Sequence, residues 1–270
     1  MKKTDIEKSI IKKYRKEIWS KFIKAIKDYK LIKENDKIAV CMSGGKDSAL
    51  LALCLEELKR HGLFNFELKY IVMDPGYKKE HLKLIKDNFK TLNLDINMFK
   101  TDIFKVANKL NKESPCYLCA RMRRGHLYNK AKELGCNKIA LGHHFNDVIE
   151  TIMLNILYNG SYKTMMPKIK STNFKGLELI RPMYYIKEEN IIKWQNYNNL
   201  EFLDCACTIT AKKKDSKRLE VKELIKRLKK TNKDVDMAIF KSSSNIYMDT
   251  VIGWKKGDKD YNFLDEYEGA

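Results

Sequence analysis

The chain has 270 residues, 44% of them hydrophobic, and it carries a formal net charge of +19. A chain of this size can bury a full core, and it contains no apolar run of the roughly 18 residues that a membrane-spanning helix needs. Its beginning lacks the apolar segment of a secretion signal, and its seven cysteines are an odd number. We therefore expect a cytoplasmic protein whose thiols bind metal or do redox chemistry, not a disulfide framework.

The positive charge is concentrated in two segments. Residues 1–30 hold eleven Lys or Arg against four acids, and residues 211–230 hold ten against three, which is a net charge of +7 in each. Such concentrations favour a polyanionic partner such as RNA or DNA. Lys-rich helix faces that contact only solvent would give the same counts.

The first thirty residues predict one long amphipathic helix. Its apolar side chains recur four residues apart, the spacing of one helix face, and basic residues lie on the opposite face. These apolar residues are Ile6, Ile10, Tyr14, Ile18, Phe22 and Ile26. We expect this helix, within a unit of residues 1–34, to pack beside the main domain.

From Lys37 onward, short β-rich segments alternate with helical ones. The predicted strands are KIAVCM, ELKYIVMD, LDINMFKTD, KIALGHH and LELIRPM, and segments such as KKEHLKLIKDNFKTL and DVIETIMLNILY predict helices. This alternation predicts an α/β fold with a mostly parallel, doubly wound sheet covered on both faces. We assign residues 35–210 to this domain and residues 211–270 to a helical basic segment with a loosely ordered acidic tail.

A tight loop with two adjacent glycines follows the first predicted strand. It consists of Ser43, Gly44, Gly45, Lys46, Asp47 and Ser48. Paired glycines allow unusual backbone torsions, so that N–H groups converge on an anion at the N-terminus of the next helix. No G-x-x-x-x-G-K-[ST] spacing can be drawn through the loop, which excludes a Walker A motif. The sequence still predicts a phosphate-binding loop, in which Lys46 neutralises phosphate charge.

Further polar residues follow the ends of other predicted strands, where ligands bind in sheets of this kind. Asp74 ends the second strand, and the segment from Gly142 to Asp147 follows a later one. Asp47 and Asp147 offer the hard oxygen ligands that suit Mg²⁺, although Asp147 is also placed to cap a helix. His143 and His144 lack a third imidazole nearby, which favours packing or nucleotide contact over a metal site.

The cysteines suggest a second functional element. Cys116 and Cys119 form a C-x-x-C that is followed by Arg123 and Arg124, and a second pair, Cys205 and Cys207, lies far along the chain. A lone C-x-x-C is compatible with redox thiols or with half of a zinc or iron–sulfur site. The remaining cysteines predict small packing residues; they are Cys41, Cys54 and Cys136.

Taken together, these motifs resemble a known family. S-G-G-K-D-S after a strand resembles the PP-loop of ATP pyrophosphatases, which cleave ATP between the α and β phosphates and leave an adenylated intermediate. The segment PCYLCARMRRGHLYNKAKELGCNKIALGHHFNDVIETIMLNILYNG resembles, more narrowly, the TtcA-type tRNA 2-thiocytidine biosynthesis family. The likeness runs from about Lys37 to about Thr208 and includes the I-R-P of Ile180 to Pro182.

The resemblance implies an ATP-dependent sulfurtransferase that adenylates a tRNA base carbonyl, with cytidine 32 of the anticodon loop as the leading choice, and replaces its oxygen by sulfur. In that family three cysteines hold a 4Fe-4S cluster whose fourth iron has no protein ligand. By position these are Cys116, Cys119 and Cys205, chosen over Cys207. Asp147 matches an acidic position of the family signature, but Asn146 stands where an acid usually precedes it.

These assignments give a set of expected cofactors and partners. ATP, Mg²⁺ and a 4Fe-4S cluster are the cofactors; tRNA, a second copy of the chain, and a cysteine desulfurase or inorganic sulfide as the sulfur source are the partners. Arg123, one turn beyond the C-x-x-C, is expected to face the cluster or an RNA phosphate, with a surface salt bridge as the alternative.

Other interpretations stay open at this point. Two cysteine persulfides, or zinc held by three cysteines, are alternatives to the cluster. The chain would also suit a PP-loop sulfurtransferase or ligase that acts on another tRNA position or on a small molecule. A non-catalytic, cluster-bearing nucleic-acid-binding protein is the alternative from another class.

Overall fold

The structure is a computed structural model that describes residues 3–103, 106, 115–203 and 217–267; for residues 115–120 and 266 it describes the backbone alone. The main strands are β1 (Asp36–Met42), β2 (Phe66–Asp74), β3 (Ile96–Lys100), β4 (Lys138–Ala140), β5 (Lys168–Lys170) and β6 (Glu178–Ile180). They form one sheet in the order β3-β2-β1-β4-β6-β5, in which β5 alone runs antiparallel to its neighbour. The predicted mostly parallel sheet is confirmed.

Helices cover both faces of this sheet, as expected for parallel strands joined by crossover connections. The helices of the described ranges are α1 (Lys3–Ile11), α2 (Ser20–Asp28), α3 (Lys46–Arg60), α4 (Lys79–Thr91), α5 (Pro115–Glu133), α6 (Phe145–Asn159), α7 (Glu188–Tyr197), α8 (Lys217–Thr231), α9 (Val235–Ser242) and α10 (Leu264–Tyr267). None of them combines the length and the apolar character that crossing a lipid bilayer requires.

Two hydrophobic cores lie on opposite faces of the sheet, and the alternation of side chains in β1 divides between them. Ile38, Val40 and Met42 belong to the larger core, whereas Ala39 and Cys41 belong to the smaller one. Because both faces are buried, β1 is an almost continuous apolar run, and its carboxyl end delivers the glycine loop to one edge of the sheet.

The N-terminal region differs from the single predicted helix. The predicted apolar face is correct, since Ile6, Ile10 and Ile18 are fully buried, but a turn and a π-helical segment (Arg15–Trp19) separate α1 from α2. Residues four apart drift by about 40° per step around an α-helix of 3.6 residues per turn. The wider π turn offsets this drift and returns the apolar positions to one face.

The acidic tail also differs from the expectation of loose order. The tail begins at Gly257 and contributes β8 (Lys259–Asn262) to an antiparallel hairpin whose first strand, β7 (Gly253–Lys256), precedes it; α10 follows. Gly257 in the turn has φ +62°, and the rings of Trp254 and Tyr261 stack across the strands at 5.5 Å. A Gly-Asp turn between alternating aromatic and polar residues was the signal for this hairpin. The domain boundaries at residues 34 and 210 stay a prediction.

A buried hydroxyl ties the N-terminal helix to α7. Ser9 Oγ accepts hydrogen bonds from Trp194 Nε1 and Asn198 Nδ2, each at 3.1 Å. We expect Ser9→Ala to lower the free energy of unfolding by about 2 kcal/mol, because two buried donors lose their acceptor. Urea unfolding measures this, with exposed Ser20→Ala as the control; equal midpoints for the two variants would contradict the expectation.

Candidate functional site

The glycine loop joins β1 to α3 through two backbone conformations that glycine makes accessible. Gly44 has φ +83°, in the left-handed region, and Gly45 is the extended residue that precedes the first turn of α3. Ser48 Oγ accepts the Ser43 N–H at 3.2 Å and donates to the Gly45 carbonyl at 2.9 Å. The two serines therefore fix the loop, and the first N–H groups of α3, which have no partner within the helix, offer an anion site.

Three helix N-termini meet at this loop. α3 begins at Lys46, α6 begins after His144, and α7 begins at Glu188. His144 Nε2 lies 4.0 Å from Asp47, and Lys46 Nζ lies 3.8 Å from Glu188 Oε1, so the three helix starts are in direct contact. Their dipoles together favour a polyanion at this point.

The segment after β4 approaches the loop closely at Gly142. A Cβ atom on Gly142 would lie 3.1 Å from the backbone carbon of Asp47 and 3.2 Å from the Ser48 nitrogen. The absence of a side chain at Gly142 thus allows the two segments to pack backbone against backbone beside the anion site.

A cavity of about 310 Å³ opens next to the loop. Ser43, Ser48 and Gly142 form one wall, and Arg123 and Leu127 of α5 form part of another. The rest of the lining is mostly apolar and aromatic: Cys41, Met42, Met73, Tyr77, Leu141 and His143. A mainly apolar cavity with a few polar groups at one end suits a nucleotide whose base lies in the cavity and whose phosphates lie on the loop.

The two candidate Mg²⁺ ligands lie at the helix starts. Asp47 Oδ1 is buried and has no hydrogen-bond partner among the described residues, and burial raises the pKa of this carboxyl, while His144 and Lys46 oppose the shift. Asp147 Oδ2 accepts the His144 N–H at 2.9 Å, so the helix-capping role is realised. Burial alone would raise the pKa of Asp147, but the nearby His144 holds it below its ordinary value.

His143 lines the cavity and is hydrogen-bonded to the buried Arg181. Arg181 donates from Nε to His143 Nδ1 at 3.4 Å and from Nη1 to the Met166 carbonyl. Burial lowers the pKa of His143 to about 4, so this imidazole is neutral and accepts the bond. Among the described residues no carboxylate lies within ion-pair distance of Arg181, and its guanidinium holds the ring of His143 by this hydrogen bond.

Asp74 lies at the end of β2, as predicted, but its carboxylate is directed into its own turn. Asp74 Oδ1 accepts the N–H groups of Gly76 at 2.9 Å and Tyr77 at 2.8 Å. It does not line the cavity. Its contribution is therefore to hold the segment that carries Tyr77, and direct nucleotide contact stays a prediction.

The predicted cysteine ligands are only partly described. Cys116 and Cys119 lie in the first turns of α5, for which the backbone alone is described, and Cys205 and Cys207 lie outside the described residues. Helical spacing places positions 116 and 119 on the face of α5 that also carries Arg123 and Leu127, the two cavity-lining residues. The C-x-x-C thus belongs to the helix that forms the cavity wall.

Several site residues were not predicted from the sequence. Glu188 contacts Lys46, and Lys222 of α8 lies 2.6 Å from Glu188 Oε2. Arg218 of α8 lies 3.0 Å from Glu150 Oε2 and 3.5 Å from Asp147 Oδ1. Charge counting marked the α8 region only as basic, and no local motif indicated that two of its side chains point into this site.

Comparisons with known proteins agree on the family. A family model described as a PP-loop domain matches residues 14–215. A tRNA-cytidine(32) 2-sulfurtransferase of Geotalea uraniireducens is 38% identical over 226 residues, which is 83% of this chain and 88% of that protein. Proteins of the same name from Pelobacter propionicus and Geobacter metallireducens are 36% and 35% identical, over 83% and 87% of this chain and 83% and 91% of their own lengths.

Among solved structures, the U34-tRNA thiolase NcsA from Methanococcus maripaludis with its [4Fe-4S] cluster superposes with a TM-score of 0.66. The match has 22% sequence identity and covers 83% of this chain and 76% of that one. At this identity the likeness concerns the fold, and it confirms a parallel sheet flanked by helices with an N-terminal helical segment.

Proposed function

Because this chain belongs to the tRNA-cytidine(32) 2-sulfurtransferase family of PP-loop proteins, it is an ATP-dependent tRNA-thiolating enzyme, and we propose that it replaces the 2-oxygen of cytidine 32 by sulfur. The observation that carries this proposal is a shared cavity. The phosphate loop forms one wall, and the helix that begins with the C-x-x-C forms another. Activation by ATP and delivery of sulfur can therefore occur at one base.

The reaction needs two displacements. The base oxygen attacks the α phosphorus of ATP, the bond between the α phosphorus and the bridging oxygen breaks, and pyrophosphate leaves with the electron pair. Hydrosulfide then attacks the base carbon, the carbon–oxygen bond breaks, and AMP leaves with the oxygen while a proton is released. Activation is required because AMP is a far better leaving group than oxide.

The chain's own residues support the first displacement. The N-termini of α3 and α6 and the ammonium of Lys46 stabilise the charge that develops on pyrophosphate. The close packing of Gly142 against the start of α3 fixes the loop, which keeps the phosphates in line with the attacking oxygen.

Mg²⁺ fits the carboxylates of Asp47 and Asp147, which lie in the first turns of α3 and α6. Asp47 has a buried oxygen free of hydrogen bonds in the described structure, and a hard cation is the partner that such an oxygen favours. Within the described ranges no three His, Cys, Asp or Glu side chains come together as a metal site. Asp47 and Asp147 would therefore share the ion with ATP phosphates and water, and it would offset phosphate charge.

A 4Fe-4S cluster fits the thiol ligands. By helical spacing, positions 116 and 119 lie on the side of α5 that carries Arg123 and Leu127; Cys116 and Cys119 would supply two thiolates, and Cys205, or Cys207 in its place, would supply the third. The NcsA thiolase, which has the same fold, carries a [4Fe-4S] cluster, and this supports the cluster over persulfides or zinc. When bound, the cluster would supply the sulfur nucleophile beside the cavity.

The remaining partners follow from the substrate. The basic N-terminal segment of residues 1–30 would contact tRNA phosphates, and Arg123 at the cavity wall would contact the anticodon loop. A cysteine desulfurase or inorganic sulfide would provide sulfur, and the active form would be a homodimer in the cytoplasm. These partners, the dimer and the location stay predictions.

The test is a reaction with defined components. Anaerobically purified protein, unmodified tRNA, ATP, Mg²⁺ and sulfide should yield AMP and 2-thiocytidine in equal amounts, measured by chromatography and nucleoside mass spectrometry. RNA binding without AMP release would overturn the proposal in favour of a non-catalytic binding protein. Thiolation at another position would overturn the assignment to cytidine 32.

A further inference from the structure

Seven ionisable side chains form a series of contacts at the phosphate loop, and one turn of α8 between the two ends of the series closes it into a ring. It begins and ends on α8 and joins four helices; we call it the charged ring. Its members in order of contact are Lys222, Glu188, Lys46, Asp47, His144, Asp147 and Arg218. Every neighbouring pair lies within 4.0 Å.

One half of the charged ring holds Lys46. Glu188 lies between two lysines, at 2.6 Å from Lys222 and 3.8 Å from Lys46. Its backbone N–H donates to Asn146 Oδ1 at 2.9 Å, which fixes the start of α7. Burial alone would raise the pKa of Glu188, but Lys222 holds it below its ordinary value. Glu188 is therefore a fixed carboxylate beside the phosphate-binding lysine.

The other half holds Asp147. Asp147 and Glu150 lie one turn apart on α6, and both carboxylates are mostly buried. Arg218 contacts both, Asp147 at 3.5 Å and Glu150 at 3.0 Å. Without a cation beside it, the Asp147 carboxylate would repel any phosphate that approached. Arg218 removes this obstacle.

We propose that the charged ring is the phosphate-positioning device of the nucleotide site, in which Glu188 is the carboxylate that directs Lys46 and Arg218 is the cation that offsets Asp147. Asn146 is uncharged, and its side chain fixes the start of α7, which carries Glu188. Glu188 and Arg218 act through Lys46 and Asp147, so they are positioning residues. The inference rests on the proposed function, since it presupposes ATP as the substrate.

Glu188 and Arg218 should affect different kinetic constants. Glu188→Gln removes one of the two carboxylates that contact Lys46 among the described residues and leaves Asp47, so ATP binds at least as well, but the ammonium is held from one side only. We expect kcat for pyrophosphate release to fall about tenfold or more with no rise in the KM for ATP. Arg218→Gln removes the cation beside the Asp147 carboxylate, so the KM for ATP should rise about tenfold with kcat within about threefold.

The experiment measures tRNA-dependent pyrophosphate release over a range of ATP concentrations for both variants. Arg218→Lys should restore the KM most of the way to the wild-type value, because it returns the positive charge. The recovery is incomplete because lysine lacks the planar guanidinium that contacts both carboxyl groups. Lys226→Gln is the control, since Lys226 is exposed one turn further along α8. Melting temperatures check that all variants fold.

Two results would overturn the charged ring as a positioning device. One is wild-type KM and kcat in both variants; the other is the same change of KM in both, which general loosening of the site would produce. Failure of the proposed function looks different, because the unchanged protein would then release no pyrophosphate with tRNA at all.

Discussion

Cys116→Ala should give a colourless protein that no longer thiolates tRNA. Anaerobically purified wild-type protein is expected to be brown, with iron–sulfur absorbance in the visible range. Position 116 lies at the start of α5, on the face that lines the cavity further along the helix. With one of three thiolates missing, the cluster has too few ligands to stay bound. Visible absorbance, iron content and nucleoside mass spectrometry measure the loss.

The control for this prediction is a cysteine elsewhere in the fold. Cys136 is buried in the smaller core, and its side chain is free. Cys136→Ala should keep colour and activity and lose only about 1 kcal/mol of folding free energy. A colourless wild-type protein that holds zinc instead of iron would contradict the cluster. Cys205→Ala and Cys207→Ala, compared in the same assay, identify the third ligand.

Gly44→Ala should abolish ATP binding. Gly44 has φ +83°, and an added Cβ would lie 2.6 Å from Ile85 Cγ1 and 3.0 Å from its Cδ1. The loop must shift away from α4, which misplaces the N–H groups that hold phosphate. We expect ATP affinity to fall about 100-fold or more, because small displacements of a positioned site cost that much. The free energy of unfolding should fall by about 1–3 kcal/mol.

Gly62→Ala is the control for Gly44→Ala, because it introduces the same backbone strain at a position outside the phosphate loop. Gly62 has a similar φ of +66°, but an added Cβ would meet no atom within 4 Å. This variant should lose about 1 kcal/mol and bind ATP normally. Isothermal titration with ATP and urea unfolding distinguish the two variants. Normal ATP binding by Gly44→Ala would contradict the assignment of the loop.

The parts of the fold that the sequence predicted are those with strong local patterns. The apolar strands β1 and β2 and the Gly44–Gly45 turn are encoded within a few residues, and both were identified. β5 was missed because its three residues, Lys168–Lys170, have a single apolar member. The break between α1 and α2 was missed because spacing by four shows which face is buried but not where the helix must adjust its turn.

The site residues that could be predicted from the sequence are those that lie within one short, recognisable motif. Asp47 and Asp147 came from motifs that lie next to their helix starts. Glu188 and Arg218 did not, because their importance arises from contacts with residues far away along the chain. The charge of α8 was assigned to nucleic acid, whereas Arg218 and Lys222 contact carboxylates at the phosphate loop. Only the tertiary structure distinguishes these two uses of a basic helix.

The most direct test of the central claim is nucleoside mass spectrometry of total tRNA from a strain that lacks the gene for this chain. We predict that 2-thiocytidine disappears while other thiolated nucleosides persist, and that the wild-type chain, but not Cys116→Ala, restores it. Unchanged 2-thiocytidine in the deletion strain would contradict the account.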